Sequence, residues 1–476
     1  MASAPAQFLG TPKPGFQAAM DGSKPRFQAM CRTLLYRELN IRGMLVHHEV
    51  VRLSSLKMKR ATCRYAIEAR MTRVPHRPVA AIALAIFCAT VSVAQSATNE
   101  SNLPVVFLDS TNQIVSERKV SSTLTLQEPK HPEATNRLTG IARIHGGVSQ
   151  AYAKKSYGIT LDAPISLLGM RKSAHWLLNA AYIDRSLMRH KLAYDLFRSL
   201  SASNAPRFAV ASRFVEVRLN GKYNGVYLLM ERVDGQLFGF HPFKSNDTVH
   251  ACIYKAVDHS ANFNQPGHAG YEQRQPDALT YAYWAPLDRF DKFVSTSSDS
   301  QFFNPTNGIA GRLDLDNAID FHLLVLLTRN IDGITKNFII ARDAPSAGPI
   351  KPKFFFAPWD YDGTFGRNWD ATPVPPSGWL SNHLFDRLMS NGAYREKFAA
   401  RWRQLRDGPF SANKVQAVID SNVATLGPAV QRNARRWPTT QGGYPDNIDF
   451  AEDVREMKSW IEARVKWLDQ EILKNR

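Results

Sequence analysis

The last hundred residues of the chain carry a helical period. Stretches such as HLFDRLMSNGAYREKFAARWRQL and DVREMKSWIEARVKWLDQEIL set apolar side chains three and four apart, with charged residues between them. That spacing predicts amphipathic helices with one buried stripe each. Further upstream the period changes to two. Residues 139–145 and 154–161 flank Gly146-Gly147 and predict two strands. In the second of them Lys155, Tyr157, Ile159 and Leu161 share a face, so Lys155 is expected to point with the apolar side. Asp184 suits an N-cap, and Met188, Leu192 and Leu196 then repeat at four-residue intervals, predicting a helix to about residue 200. SRFVEVRL, Asn220-Gly221 and residues 225–233 predict a hairpin with a tight turn. A further helix is expected over 313–329, followed by a second hairpin from NFIIARD (337–343) and KFFFAPWD (353–360). Residues 236–312 are rich in Gly, Pro, Asn, Ser and aromatic residues and read as a long irregular insertion. Residues 98–136 read as a Ser/Thr-rich linker with one strand.

Charge and composition then sort the chain into regions. The formal net charge is +18, but residues 1–78 hold fourteen Lys and Arg against four Asp and Glu, so more than half of the excess lies there. What remains suits a domain handling phosphates or acidic protein, and it is too diffuse to argue for nucleic acid. Residues 71–97, MTRVPHRPVAAIALAIFCATVSVAQSA, combine two arginines, a short apolar run and small residues, the pattern of a cleaved signal peptide. The run is shorter than the ~20 residues a spanning helix needs, so no integral membrane segment is expected after cleavage. On this reading Met71 is the start of the exported protein and residues 1–70 are a non-native or disordered extension. Of the four cysteines only Cys252 lies beyond residue 97, so no intramolecular disulfide is expected despite export.

The chemistry concentrates between residues 330 and 366, NIDGITKNFIIARDAPSAGPIKPKFFFAPWDYDGTFG. Antiparallel pairing of the two strands in this stretch would bring Asn337 beside Asp360 at the open end of the hairpin, with Asp332 in the loop that enters it. Mg²⁺ takes oxygen ligands and draws only one or two of them from the protein, which an Asp and an Asn supply. Asp332 is then the spare carboxylate, able to position an attacking hydroxyl and accept its proton. An Asp, an Asn five positions later, a hairpin and another Asp repeat the order of the protein-kinase catalytic and metal-binding loops. His145 and His190 have no second histidine at metal spacing and read as satisfied polar residues.

Five segments in order, AKKSYGITL, WLLNAAYIDRSLMRHKLAYDL, RFVEVRLNGKYNGVYLLMERV, DGITKNF and FFFAPWDYDGTFGR, resemble the CotH kinase family. The resemblance implies an α+β, atypical protein-kinase-like two-lobed fold over residues 137–476, mostly helical from about residue 375. It also implies transfer of the γ-phosphate of ATP, with Mg²⁺ or Mn²⁺, to Ser or Thr of protein substrates. Asp332 would be the catalytic aspartate, with Asp360 and Asn337 as metal ligands. Lys155 would contact the α- and β-phosphates, with Arg143 just upstream of the phosphate-covering turn and Glu231 near the nucleotide hinge. The helix after Asp184 carries no glutamate to pair with Lys155. Two other functions remain open at this point: a surface adhesion or binding module that keeps the fold, and a Mg²⁺-dependent phosphohydrolase.

Overall fold

Val106, Leu108, Leu124, Leu126, Ile159, Leu161, Val215 and Val217 all turn toward one interior, and in the computed structural model that shared interior closes seven strands into a barrel. The structure describes residues 101–129, 137–247, 249–345, 352–440 and 447–474. The strands are β1 (Val105–Ser110), β2 (Val120–Gln127), β3 (Leu138–His145), β4 (Ser156–Ile165), β5 (Ser173–Asn179), β6 (Ser212–Leu219) and β7 (Lys222–Glu231). Their order around the barrel is β1-β2-β3-β4-β5-β7-β6, antiparallel except where β1 runs parallel to β6 and closes the ring. Closure leaves no exposed edge for another chain to pair with. The β6–β7 turn is the expected one, since Asn220 and Gly221 both take the positive φ (48° and 76°) that a two-residue hairpin turn requires.

This closure corrects the expected fold. A two-lobed kinase-like architecture does not fit a barrel-containing, β-rich N-terminal body. The decisive elements are β1 and β2, from the segment read as a linker. Strand β1 lies between β2 and β6 and seals the sheet on itself, so the boundary drawn at residue 137 falls inside the barrel.

A second, four-stranded sheet consists of β8 (Cys252–Ala256), β9 (Tyr271–Gln275), β10 (Phe338–Arg342) and β11 (Phe355–Pro358), in the order β11-β10-β8-β9 with every pair antiparallel. Strands β8 and β9 arise from the stretch read as irregular. At five residues each they are too short for alternation to stand out. The same stretch also holds two of the helices, α2 (Ala285–Thr296) and α3 (Asp299–Phe302).

Nine α-helices are present among the described residues, the others being α1 (Arg189–Ser199), α4 (Leu315–Thr328), α5 (His383–Ser390), α6 (Gly392–Arg406), α7 (Ala412–Leu426), α8 (Ala429–Arg436) and α9 (Phe450–Leu473). Helix α4 is buried on every side from Asn317 to Thr328 and forms the centre of the larger apolar core, against which α5, α6 and α9 pack. The helical reading of the C-terminal region therefore agrees with the structure. Helix α1 starts at Arg189, five residues after Asp184, yet Asp184 still accepts the Arg189 backbone N–H at 2.8 Å. No described helix is long and apolar enough to cross a membrane. The signal segment 71–97 and residues 1–70 lie outside the described residues.

Candidate active site

A cavity of about 830 Å³ is lined by the β3–β4 turn, the end of β5, α1, β8, the loop before β10 and the loop after β11. The β10–β11 hairpin organises one wall. Phe338 pairs with Pro358, so Asn337 and Asp360 lie at its open end, as the strand pattern predicts. Both residues adopt left-handed backbone, φ 58° and 61°, a conformation that Asn and Asp tolerate better than other side chains with a Cβ. Asp332 occupies a short 3₁₀ turn just before, its carboxylate 3.0 Å from Lys336 Nζ and 3.6 Å from His259 Nε2.

The cavity thus gathers Asp332, Asn337, Asp360 and Arg143, but it is not lined by Lys155 or Glu231. Strand β4 begins only at Ser156, so the alternation that aimed Lys155 inward does not reach it. Lys155 Nζ instead donates to the carbonyls of Gln150 and Tyr152 and ties down the turn between β3 and β4. Its neighbour Lys154 is the buried one. It donates to Ala180 O at 2.8 Å, to Val226 O and to Asn433 Oδ1 at 3.2 Å, and it lies over the Tyr227 ring. Glu231 is buried among backbone donors, accepting from Arg171 N at 3.0 Å and Ala211 N at 2.9 Å. It joins chain segments and does not face the cavity.

Helix α1 takes a part in the site that the sequence did not announce. His190 and Tyr194 are one turn apart on the same face. His190 Nδ1 accepts the Tyr361 backbone N–H at 2.9 Å, and the Tyr194 hydroxyl accepts the Asp360 N–H at 3.0 Å. Asn330 Nδ2 donates to the Asp360 carbonyl at 3.2 Å. Three side chains therefore clamp the peptide units that carry Asp360.

His190, Asp360 and Asp362 also form the one cluster among the described residues whose ligand atoms lie close enough together to share a metal ion. The hydrogen bonds decide how each takes part. Burial pushes the pKa of His190 down, so its ring is neutral. With Nδ1 accepting from Tyr361, the ring proton is on Nε2, which is 3.7 Å from Asp360 Oδ1. The Asn179 amide lies nearer, 3.3 Å from Nε2, and the Asp360 carboxylate is beyond hydrogen-bond distance. His190 thus acts on the loop through the Tyr361 backbone N–H that its Nδ1 accepts, and the metal-binding capacity rests on the carboxylates.

Asp362 supplies the test of fit. Burial first, and then the charges of Asp360 and Asp184, hold its pKa well above the usual carboxylate range. Its one hydrogen bond among the described residues comes from the Gly363 N–H, and no lysine or arginine pairs with it. A half-buried carboxylate beside another carboxylate fits a divalent cation, which supplies the missing positive charge through oxygen ligands. Removing the Tyr194 hydroxyl should expose this dependence. Tyr194→Phe leaves the half-buried Asp360 N–H without its acceptor and is expected to weaken Mn²⁺ binding about tenfold, measured by electron paramagnetic resonance titration. A purely structural hydroxyl would lower the melting temperature and leave the metal affinity unchanged.

A network behind the clamp fixes α1. Arg189 bonds Asp184 at 2.6 Å and Asp453 of α9 at 2.6 and 2.8 Å, and its Nε donates to Thr364 O at 2.9 Å in the segment following Asp362. One buried guanidinium thus joins α1, α9 and the carboxylate loop.

Barrel, hairpin and clamp define a protein that presents a cluster of acidic and amide oxygens to a cavity bordered by cations. Residues 142–468 match the family model described as CotH kinase protein, more than half of the chain, and the chain belongs to that family. It is 30% identical over 224 residues to inner spore coat protein H of Bacillus subtilis (strain 168), an alignment covering 46% of this chain and 56% of that protein. The chain therefore spans little more than half the length of this curated relative.

Proposed function

We propose that the chain is an exported phosphotransferase that moves the γ-phosphate of ATP, with Mg²⁺ or Mn²⁺, to Ser or Thr hydroxyls of proteins. The observation that carries this reading is the meeting of Asp332, Asn337, Asp360 and Asp362 in one cavity with cationic side chains. Asp360, Asp362 and the Asn337 amide are the groups that would hold the metal, which when bound neutralises phosphate charge. Asp332, on the turn that precedes them, receives the proton of the acceptor hydroxyl as its oxygen bonds to phosphorus and the bond to the β-phosphate oxygen breaks. Lys336 Nζ lies 3.0 Å from the Asp332 carboxylate and helps to hold it in place. Export rests on the signal pattern of residues 71–97, and the name of the relative, an inner spore coat protein, supports a surface location.

Nucleotide binding is the first test. With ATP and Mg²⁺ at about a hundred times the dissociation constant, the folded state gains about 2.7 kcal/mol, visible as a rise in melting temperature of the wild-type protein. No rise at millimolar ATP with either cation would overturn the phosphotransferase reading and favour a binding module.

A further inference from the structure

Four cations from separate stretches of chain line the same cavity, beside its carboxylates, and three of the four make no ion pair among the described residues. Arg143 comes from β3, Arg232 follows β7, Lys255 is on β8 and Arg274 on β9. Lys255 is paired directly with Glu272 across the β8–β9 ladder, and Arg274 lies two residues further along the same face. Glu272 is already engaged by Arg274 at 2.9 Å, and Asp234, the carboxylate near Arg232, by Arg171 at 3.1 Å. Arg143, Arg232 and Lys255 make no ion pair among the described residues, and Lys255 is held over the Trp359 ring. The groups feel one another. Burial pushes the pKa of His145 down to about 4, with Arg232, Lys255, Arg143 and Arg274 adding to the effect. Burial likewise lowers Arg232, with Arg274 and Arg143 contributing. Arg232 and Lys255 are half-buried whereas Arg143 and Arg274 are exposed, and half-buried like charges held together are costly unless an anion meets them.

Three guanidinium forks and an ammonium present many N–H donors converging on one volume. A phosphoryl group, with charge near about −2 and three terminal oxygens, uses such a set more fully than a carboxylate does. We propose that Arg143, Arg232, Lys255 and Arg274 form an oxyanion subsite that binds a phosphoryl group directly, without a metal ion, beside the carboxylates that would hold the metal. The subsite rests on the phosphoryl-transfer reading of the cleft and adds a second, metal-independent anchor to it. Either the phosphate chain of the nucleotide or a phosphate already present on the acceptor protein carries the chemistry it takes.

Calorimetric titration of the full chain with inorganic tripolyphosphate in metal-free buffer tests the proposal. Saturable binding is expected for wild type and for Asp360→Asn, with affinity at least about tenfold weaker in the double variant Arg232→Gln/Arg274→Gln. Melting of each variant without ligand shows whether it is folded, and Lys255→Gln, a smaller change, repeats the test should the double variant unfold. Competition by ATP assigns the subsite to the nucleotide, whereas undiminished phosphoserine-peptide binding at saturating ATP and Mg²⁺ assigns it to the acceptor. Absence of metal-free binding by wild type, or unchanged binding by the folded variants, overturns the proposal. Transfer with Mg²⁺ is assayed separately: its absence alongside tripolyphosphate binding refutes the phosphotransferase reading and leaves the subsite standing.

Discussion

Asp332→Asn is expected to cut phosphoryl transfer by about 10²–10⁴-fold while leaving Mg²⁺-dependent nucleotide binding near wild type. The asymmetry follows from where the side chains lie. Asp332 is placed by its own 3₁₀ turn and paired with Lys336, outside the His190–Asp360–Asp362 cluster. An amide there has the same shape but cannot accept the hydroxyl proton. Asp360→Asn is expected to do the reverse and act first on binding. It removes a direct metal ligand, so its effect on metal-dependent nucleotide affinity should exceed the roughly 10–100-fold loss typical of outer partners. Calorimetry with ATP and Mg²⁺, together with mass spectrometry of phosphorylated acceptors, separates the two. Equal binding and equal transfer by both variants and wild type would remove these residues from the site.

Arg189→Met should lower folding stability by about 3–5 kcal/mol in urea denaturation, because it removes the guanidinium shared by two buried carboxylates. Asp184 and Asp453 are 2% and 1% exposed, and Arg189 is the guanidinium that bonds both. Burial by itself pushes the Asp453 pKa up, but the charge and hydrogen bonds of Arg189, with Arg367 adding, hold it below the usual carboxylate range. A depressed folded pKa contributes stability above the unfolded value, near about 4, which is lost as pH falls through the folded value. The wild-type protein should therefore lose this contribution only in strong acid. In the variant burial is less opposed at Asp453, whose carboxyl then takes up a proton more readily than in the unfolded chain, so the deficit should shrink as pH falls from about 7 toward about 5. A deficit that stays constant over that range would show that the network does not work through charge. Because Arg189 also holds Thr364 O, the same substitution is expected to loosen the carboxylate loop.

The hairpin that carries Asn337 and Asp360 is legible in the sequence because two apolar runs with a polar break between them can pair in only one sensible way, and local register then places the ends. The amphipathic C-terminal helices and the Asn220-Gly221 turn follow for the same reason, since their signals are periodic or depend on one or two residues. Lys155 shows the limit of that logic: a period of two aims a side chain only while the strand lasts, and β4 starts one residue later. Closure of the barrel could not be read at all. It depends on β1 meeting β6, a parallel contact between residues about a hundred positions apart that no local pattern encodes. The clamp on Asp360 is hidden in the same way. His190 and Tyr194 lie off the Met188, Leu192 and Leu196 stripe and carry no motif, and only tertiary packing turns them onto the backbone of residues 360 and 361. Arg232, Lys255 and Arg274 likewise belong to strand ends and short strands with no motif of their own. Sequence determines what is local and periodic, whereas contacts between distant segments are set by how the whole chain buries its apolar surface, and the shape of this site was decided there.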